Sequence, residues 1–277
     1  MKLFAFADEA CPQIDGQIRA MLRNGLNGLE IRGVDGQSVS SITVDKAAEV
    51  REKLDNHGLS VWSVGSPIGK IDVVNDDYAE HLKEFRHTLK IAKILGTKKI
   101  RMFSFYMPQD TPCAQYRDTV IARLQQMVEI AASEGIDLYH ENEKGIYGDI
   151  ATRCVELFEA VPGLKGIFDP ANFVQCGQDT LEAWELLHPY IQYLHIKDAL
   201  PDGKVVPAGK GVGNVSYIAN SFREQGGDAM TIEPHLTVFS GFDQLEKAGK
   251  TGAVDSYVYP SADAAFDAAC DALKKLL

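Results

Sequence analysis

The chain has 277 residues, 45% hydrophobic and 24% charged, proportions that suit a globular protein with one large core or two small ones. Lys and Arg number 28 against 39 Asp and Glu, a net charge of −11, which argues against an electrostatic grip on nucleic acid or an anionic membrane. Five scattered cysteines, Cys11, Cys113, Cys154, Cys176 and Cys270, form no CxxC pair and read as free thiols in a reducing compartment. The opening MKLFAFADEACPQ lacks the design of a secretory signal, and no stretch approaches the roughly 20 apolar residues of a membrane helix, so a cytoplasmic protein is expected.

In chain order, short apolar runs alternate with longer amphipathic segments. KLFAFA (2–7) is strand-like, and residues 12–25 follow at helical spacing, with Ile14, Ile18, Met21 and Leu22 on one face. GLEIRG (28–33) precedes a helix over 44–58, and LSVWSVGS (59–66) precedes one over 76–96. KKIRMFSFY (98–106) pairs with a helix over 116–135, and IDLYHEN (136–142) with one over 149–161. LKGIFDP (164–170), YIQYLHIKD (190–198) and DAMTIEPH (228–235) are the last strands, with helices over 179–189, 214–226 and 261–277. Strict alternation predicts parallel strands with helical crossovers, and eight units in this length predict a single (β/α)8 TIM barrel over 1–277. A doubly wound open sheet is the alternative, but no GxGxxG turn follows a strand. Two long insertions, about 199–213 and 236–260, follow the seventh and eighth strands.

The active site of such a barrel lies at the C-terminal ends of its strands. Those ends carry Asp8 and Glu9, Glu30 and Arg32, Arg101 and Ser104, then Glu141, Asn142 and Glu143, then Asp169, His195 and Lys197, and finally Glu233 and His235. Glu141, Asp169, His195 and Glu233 thus converge on one mouth, and three carboxylates this close do not all stay ionised without a cation. Oxygen donors with one nitrogen suit one divalent metal ion, Mn²⁺ or Mg²⁺ first, with Co²⁺ or Zn²⁺ as alternatives. Glu143 would be the ligand in place of Glu141 if the register slipped by two.

LYHENEKG, GIFDPANF, YLHIKDA and TIEPHL, together with FAFADEA and EIRG, resemble segments of the xylose-isomerase-like sugar isomerase/epimerase superfamily, over nearly the whole chain. The resemblance implies a metal held by Glu141, Asp169, His195 and Glu233, with Glu141 and Glu233 doubling as catalytic proton-transfer groups. One departure stands out: Asn172 and Phe173 lie where ketose 3-epimerases of the superfamily carry a substrate-binding His.

A divalent cation so held chelates a sugar carbonyl and a neighbouring hydroxyl and stabilises an enediolate, while Glu141 or Glu233 acts as general base. The expected function is isomerisation or epimerisation of a small ketose or related polyol, with a dehydratase or lyase acting on an inosose or keto-sugar as the alternative. Lys197, Arg101, His235, Asn142 and Glu143 are the candidate substrate-binding residues. An endonuclease on abasic DNA, found in the same superfamily, fits poorly with seven His and a charge of −11. A non-enzymatic sugar-binding barrel would be expected to lose a ligand. Phe6, Trp62 and Tyr106 are apolar surfaces for which core packing is the default, and His57, His81, His87 and His188 sit on helical segments. GKVVPAGKGVG (203–213) reads as a lid, or less readily as a phosphate cradle. The expected partner is a small sugar or polyol, with no nucleic acid and no membrane; a homo-oligomer stays open.

Overall fold

The structure is a computed structural model that describes residues 1–237 and 258–277. Eight parallel strands close into a barrel: β1 (Lys2–Ala5), β2 (Gly28–Ile31), β3 (Ser60–Val64), β4 (Lys99–Met102), β5 (Asp137–Glu141), β6 (Lys165–Phe168), β7 (Ile191–Ile196) and β8 (Ala229–Ile232). Each strand pairs with its sequence neighbour, and β8 pairs back onto β1 through Lys2–Ala229 to Ala5–Ile232. The (β/α)8 reading is therefore correct, and among the described residues no helix is long and apolar enough to cross a membrane.

The helices form where caps and periodicity agree. On α1 (Ile14–Arg23) Ile14, Ile18 and Met21 are buried while Leu22 is exposed, and Arg23 ties its end to Asp267 on the closing helix α9 (Ala262–Lys274). Thr43 caps α2 (Val44–Asn56), and Asp77 caps α3 (Tyr78–Ile94) by accepting from Ala79 N and Glu80 N at 2.8 and 3.1 Å. Gly96, at φ +76°, takes the left-handed turn that ends the third helix. The remaining helices are α4 (Arg117–Ser133), α5 (Ala151–Ala160), α6 (Pro170–Gln175), α7 (Thr180–Leu187) and α8 (Val215–Glu224).

Strand alternation sorts side chains into two cores. Outward residues such as Leu29, Ile31, Ile100, Leu138, Leu194 and Met230 pack against the helices. Inward, Phe4, Tyr139, Ile167, Tyr193 and Ala229 fill the lower lumen with Trp62, whose ring stacks on Phe4 at 4.8 Å. Two residues further along the same strands, Tyr139 gives way to Glu141, Ile167 to Asp169 and Tyr193 to His195. The aromatic layer is thus the floor of the charged mouth.

Several boundaries differ from the sequence expectation. The first strand stops at Ala5 and turns into a 3-10 segment, Ala7–Glu9, which brings Asp8 and Glu9 over the mouth. The fourth stops at Met102. The sixth helix was not anticipated: Asp169 caps it by accepting from Asn172 N at 3.0 Å, and Pro170 suits its first turn. Pro189 turns the end of the expected 179–189 helix into a 3-10 segment, His188–Tyr190. The insertion after β7 begins as a small antiparallel pair, Asp198–Ala199 with Val205–Val206, and most of the insertion after β8 lies outside the described residues. Trp62 belongs to the lower core, and Tyr106 is half-buried in isolated bridges to Asp72 and Ile146.

Candidate metal centre

Glu141 ends β5, Asp169 follows β6, His195 lies near the end of β7 and Glu233 follows β8. All four are buried, and each offers a ligand atom within 4.8 Å of the others. His195 Nδ1 is 2.7 Å from Glu141 Oε1 and 3.8 Å from Glu233 Oε2. Lys197 Nζ bridges Asp169 Oδ2 and Glu233 Oε2, at 2.9 Å from each. Arg101 reaches Glu141 Oε2 at 3.2 Å and Gly65 O at 3.0 Å.

The electrostatics follow from burial and pairing. Burial alone would lower the His195 pKa, but Glu141 and then Glu30 reverse this and push it up to about 10. Burial raises the pKa of Asp169, with Lys197 pulling it back. Burial would also raise that of Glu233, yet Lys197, His235, His195 and Arg32 together hold it well below the usual carboxylate range. Glu9, buried beside Glu233 and Asp8, is raised to about 8 by burial despite Arg32.

The donor set fits a divalent cation. Asp169 uses Oδ1 to cap α6, while among the described residues its buried Oδ2 accepts no hydrogen bond and meets the Lys197 ammonium as an ion pair. A buried carboxylate oxygen left in this way calls for a further positive partner. His195 engages Glu30 Oε2 through Nε2 at 3.0 Å, which leaves Nδ1 for the cluster. Three carboxylates and one imidazole nitrogen match hard or borderline ions. A second grouping, Glu9, Glu233 and His235, also has close donor atoms. There Arg32 already supplies the charge, 2.9 Å from Glu9 Oε1 and 3.3 Å from Glu233 Oε1.

The residues expected to bind substrate divide into two sets. Lys197 and Arg101 touch the quartet directly, and the half-buried His235 has Nδ1 3.4 Å from Glu233 Oε1. Asn142 instead has its side-chain amide engaged with the Asp169 backbone, accepting from N at 2.9 Å and donating to O at 3.0 Å. Asn172 completes this lock by donating to Asn142 O at 2.9 Å. Glu143 points to Lys70, 3.0 Å away. Phe6 meets the His195 ring edge-on at 5.2 Å and lies under the guanidinium groups of Arg32 and Arg101. Sequence reasoning assigned no role to Lys70, in the loop after β3. Glu30 and Arg32 stood on the right strand end, and their spacing of two was the available signal.

The glycine-rich segment after β7, read as a lid and less readily as a phosphate cradle, turns backbone amides onto Asp198. Gly209 N and Gly211 N both donate to Asp198 Oδ2, and Gly213 N to Asp198 Oδ1, each at 2.9 Å. Backbone amides that would cradle a phosphate are directed onto the chain's own carboxylate.

Comparison with known proteins agrees with this architecture. Residues 18–252 match the family model described as xylose isomerase-like TIM barrel. A curated relative, 3-dehydroshikimate dehydratase of Bacillus anthracis, is 21% identical over 178 residues, 63% of this chain and 62% of that protein. The crystal structure of IOLI protein with a bound zinc atom superposes with a TM-score of 0.76 at 16% identity, covering 100% of this chain and 98% of that one. The 3-keto-D-glucoside 4-epimerase YcjR from E. coli, in its apo form, superposes with a TM-score of 0.71 at 17% identity, covering 100% and 98%. With the model matched over most of its length and the closed barrel in place, the chain belongs to the xylose isomerase-like TIM barrel family.

Proposed function

We propose that the protein is a divalent-metal-dependent isomerase or epimerase of an uncharged small ketose or related polyol, working through an enediolate. The observation that carries this reading is the buried quartet Glu141, Asp169, His195 and Glu233, with two carboxylates from well-separated strands. Mn²⁺ or Mg²⁺ suits its oxygen-rich donors best, and when bound the ion supplies Lewis acidity to a substrate carbonyl.

The protein's own groups then handle the proton. Glu233 is held anionic by Lys197 and its other cationic neighbours and is the stronger candidate for general base. It takes the proton from the carbon next to the carbonyl, and the C–H electron pair moves into the enediolate. Epimerisation needs Glu141 to enter the step protonated and to give that proton to the opposite face, after which Glu233 loses and Glu141 regains a proton by exchange with solvent; for isomerisation Glu233 gives the abstracted proton back to the adjacent carbon. Arg101 holds the second oxygen of Glu141 and so fixes the direction of the first. Burial of the quartet keeps these steps away from bulk water.

The charge balance supports an uncharged substrate. Among the described residues, each buried cation of the mouth already faces acid: Arg32 with Asp8, Glu9 and Glu233, Lys70 with Glu143, Arg101 with Glu141, and Lys197 with Asp169 and Glu233. A phosphate would compete with these carboxylates. The dehydratase relative favours a second reading, in which the same proton abstraction is followed by loss of a β-hydroxyl as water.

The test is wash-in of solvent deuterium into a panel of ketoses and keto-inositols, with products identified by NMR. At saturating Mn²⁺, Glu233→Gln should slow incorporation by about 10²–10⁴-fold, far more than it weakens substrate binding. A product that has lost water selects the dehydratase reading. Wild-type incorporation in both Glu141→Gln and Glu233→Gln would remove these residues from the proton path.

A further inference from the structure

Glu30 is a buried acid to which the proton path above gives no role. It lies on β2, which does not adjoin β7 in the sheet, so its contact with His195 is made across the lumen. Its side chain is fully buried. One oxygen meets His195 Nε2 at 3.0 Å, and the other accepts from the Tyr193 hydroxyl at 2.9 Å. Tyr193 belongs to the aromatic floor, in van der Waals range of Trp62 and Tyr139. The acid is therefore gripped from below and presents its free edge upward to the imidazole.

The two ring nitrogens of His195 have divided roles. Nε2 is taken by Glu30, and Nδ1 lies among Glu141 and Glu233. Rotating the ring would leave Glu30 buried without its ionic partner, an unfavourable state for an internal charge. A neutral amide would fill the same space with a smaller desolvation cost. A carboxylate at this place makes sense if its charge is used, because a carboxylate behind an imidazole strengthens the opposite nitrogen as a donor.

We propose that Glu30 is a positioning residue for the metal centre: it accepts Nε2–H from His195, fixes Nδ1 toward the quartet and thereby sets how tightly the quartet holds a divalent cation. The proposal rests on the reading of the quartet as a metal site. It adds a fifth strand, β2, to the four that supply ligands, and it gives the floor residue Tyr193 a part in tuning the mouth.

The experiment is a titration of the full chain with Mn²⁺ in competition with a fluorescent chelator, for wild type, Glu30→Gln and Tyr193→Phe. Glu30→Gln should weaken Mn²⁺ binding by about 10–100-fold, the usual effect of removing such a partner. Tyr193→Phe keeps the ring and the charge but loses one hydrogen bond to Glu30, and should weaken binding by about three- to tenfold. Histidine ring ¹⁵N spectra of the Zn²⁺-loaded wild type should show His195 protonated at Nε2, with a slowly exchanging proton that exchanges faster in Glu30→Gln. A role confined to fold stability would change neither the tautomer nor that exchange rate. Failure of the wild type to bind Mn²⁺ would overturn the metal-site reading itself. Wild-type binding with both variants within about twofold of it, or a ring coordinated through Nε2, would overturn the role of Glu30 alone. Should Glu30→Gln not fold, the Tyr193→Phe titration decides by the same criterion.

Discussion

On β5, β6 and β7 the lower and upper lumen are built two residues apart, yet they have opposite chemistry. Below, Phe4, Trp62, Tyr139, Ile167 and Tyr193 pack as a dry plug. Above, Glu141, Asp169 and His195 occupy the next inward positions, with the buried Glu30 and Arg101 of β2 and β4 beside them. Apolar burial stabilises the fold by about 1.5–3 kcal/mol per large side chain, whereas each buried charge is costly unless paired. The lower layer therefore specifies the barrel, and the upper layer draws on that stability to hold charges close together. Tyr193 and Glu30 connect the two.

The comparison predicts that the two layers fail in different ways. The largest effect on binding should come from the upper layer: Asp169→Asn keeps the cap on α6 and the volume but removes a charged ligand, so Mn²⁺ affinity should drop at least about tenfold with little change in melting temperature. Calorimetric titration beside a thermal melt checks this, and a large loss of stability with unchanged affinity would reverse the assignment of roles.

The converse is expected below. Phe4→Ala should cost about 3–5 kcal/mol in denaturant unfolding and leave the Mn²⁺ affinity of the folded protein within about twofold. A parallel collapse of affinity would show that the layers cannot be separated.

A smaller effect concerns pH. His140 points outward from β5, pairs with the Ser104 hydroxyl at 2.9 Å and is held near pKa 3 by burial. Its folded-state pKa lies below the unfolded value of about 6.5, so the unfolded chain binds the extra proton first. Stability should fall as pH drops from about 6.5 toward 3, and His140→Phe should flatten that slope in urea titrations of the metal-free protein. An unchanged slope would place the acid sensitivity in the upper-layer carboxylates.

The fold was legible because eight strand-helix units repeat with clear stops, and the quartet because acids at the ends of apolar runs are conspicuous. Glu30 was visible as a strand-end acid, but its partner His195 is 165 residues away and meets it only across a closed barrel. Asn142 read as a mouth residue, since no local pattern shows that its amide is engaged with the Asp169 backbone. The short α6 was hidden because Pro-Ala-Asn after Asp169 looks like a turn. The glycines of 209–213 read as a lid, and only the fold shows their amides gathered on Asp198.

The central claim is that one divalent ion is held by four residues from β5 to β8. A crystal grown with Mn²⁺ and measured for anomalous scattering tests it most directly. The expected result is one strong peak per chain within about 2.0–2.4 Å of Glu141, Asp169, His195 Nδ1 and Glu233. A peak among Glu9, Glu233 and His235 instead, or coordination of His195 through Nε2, would contradict it.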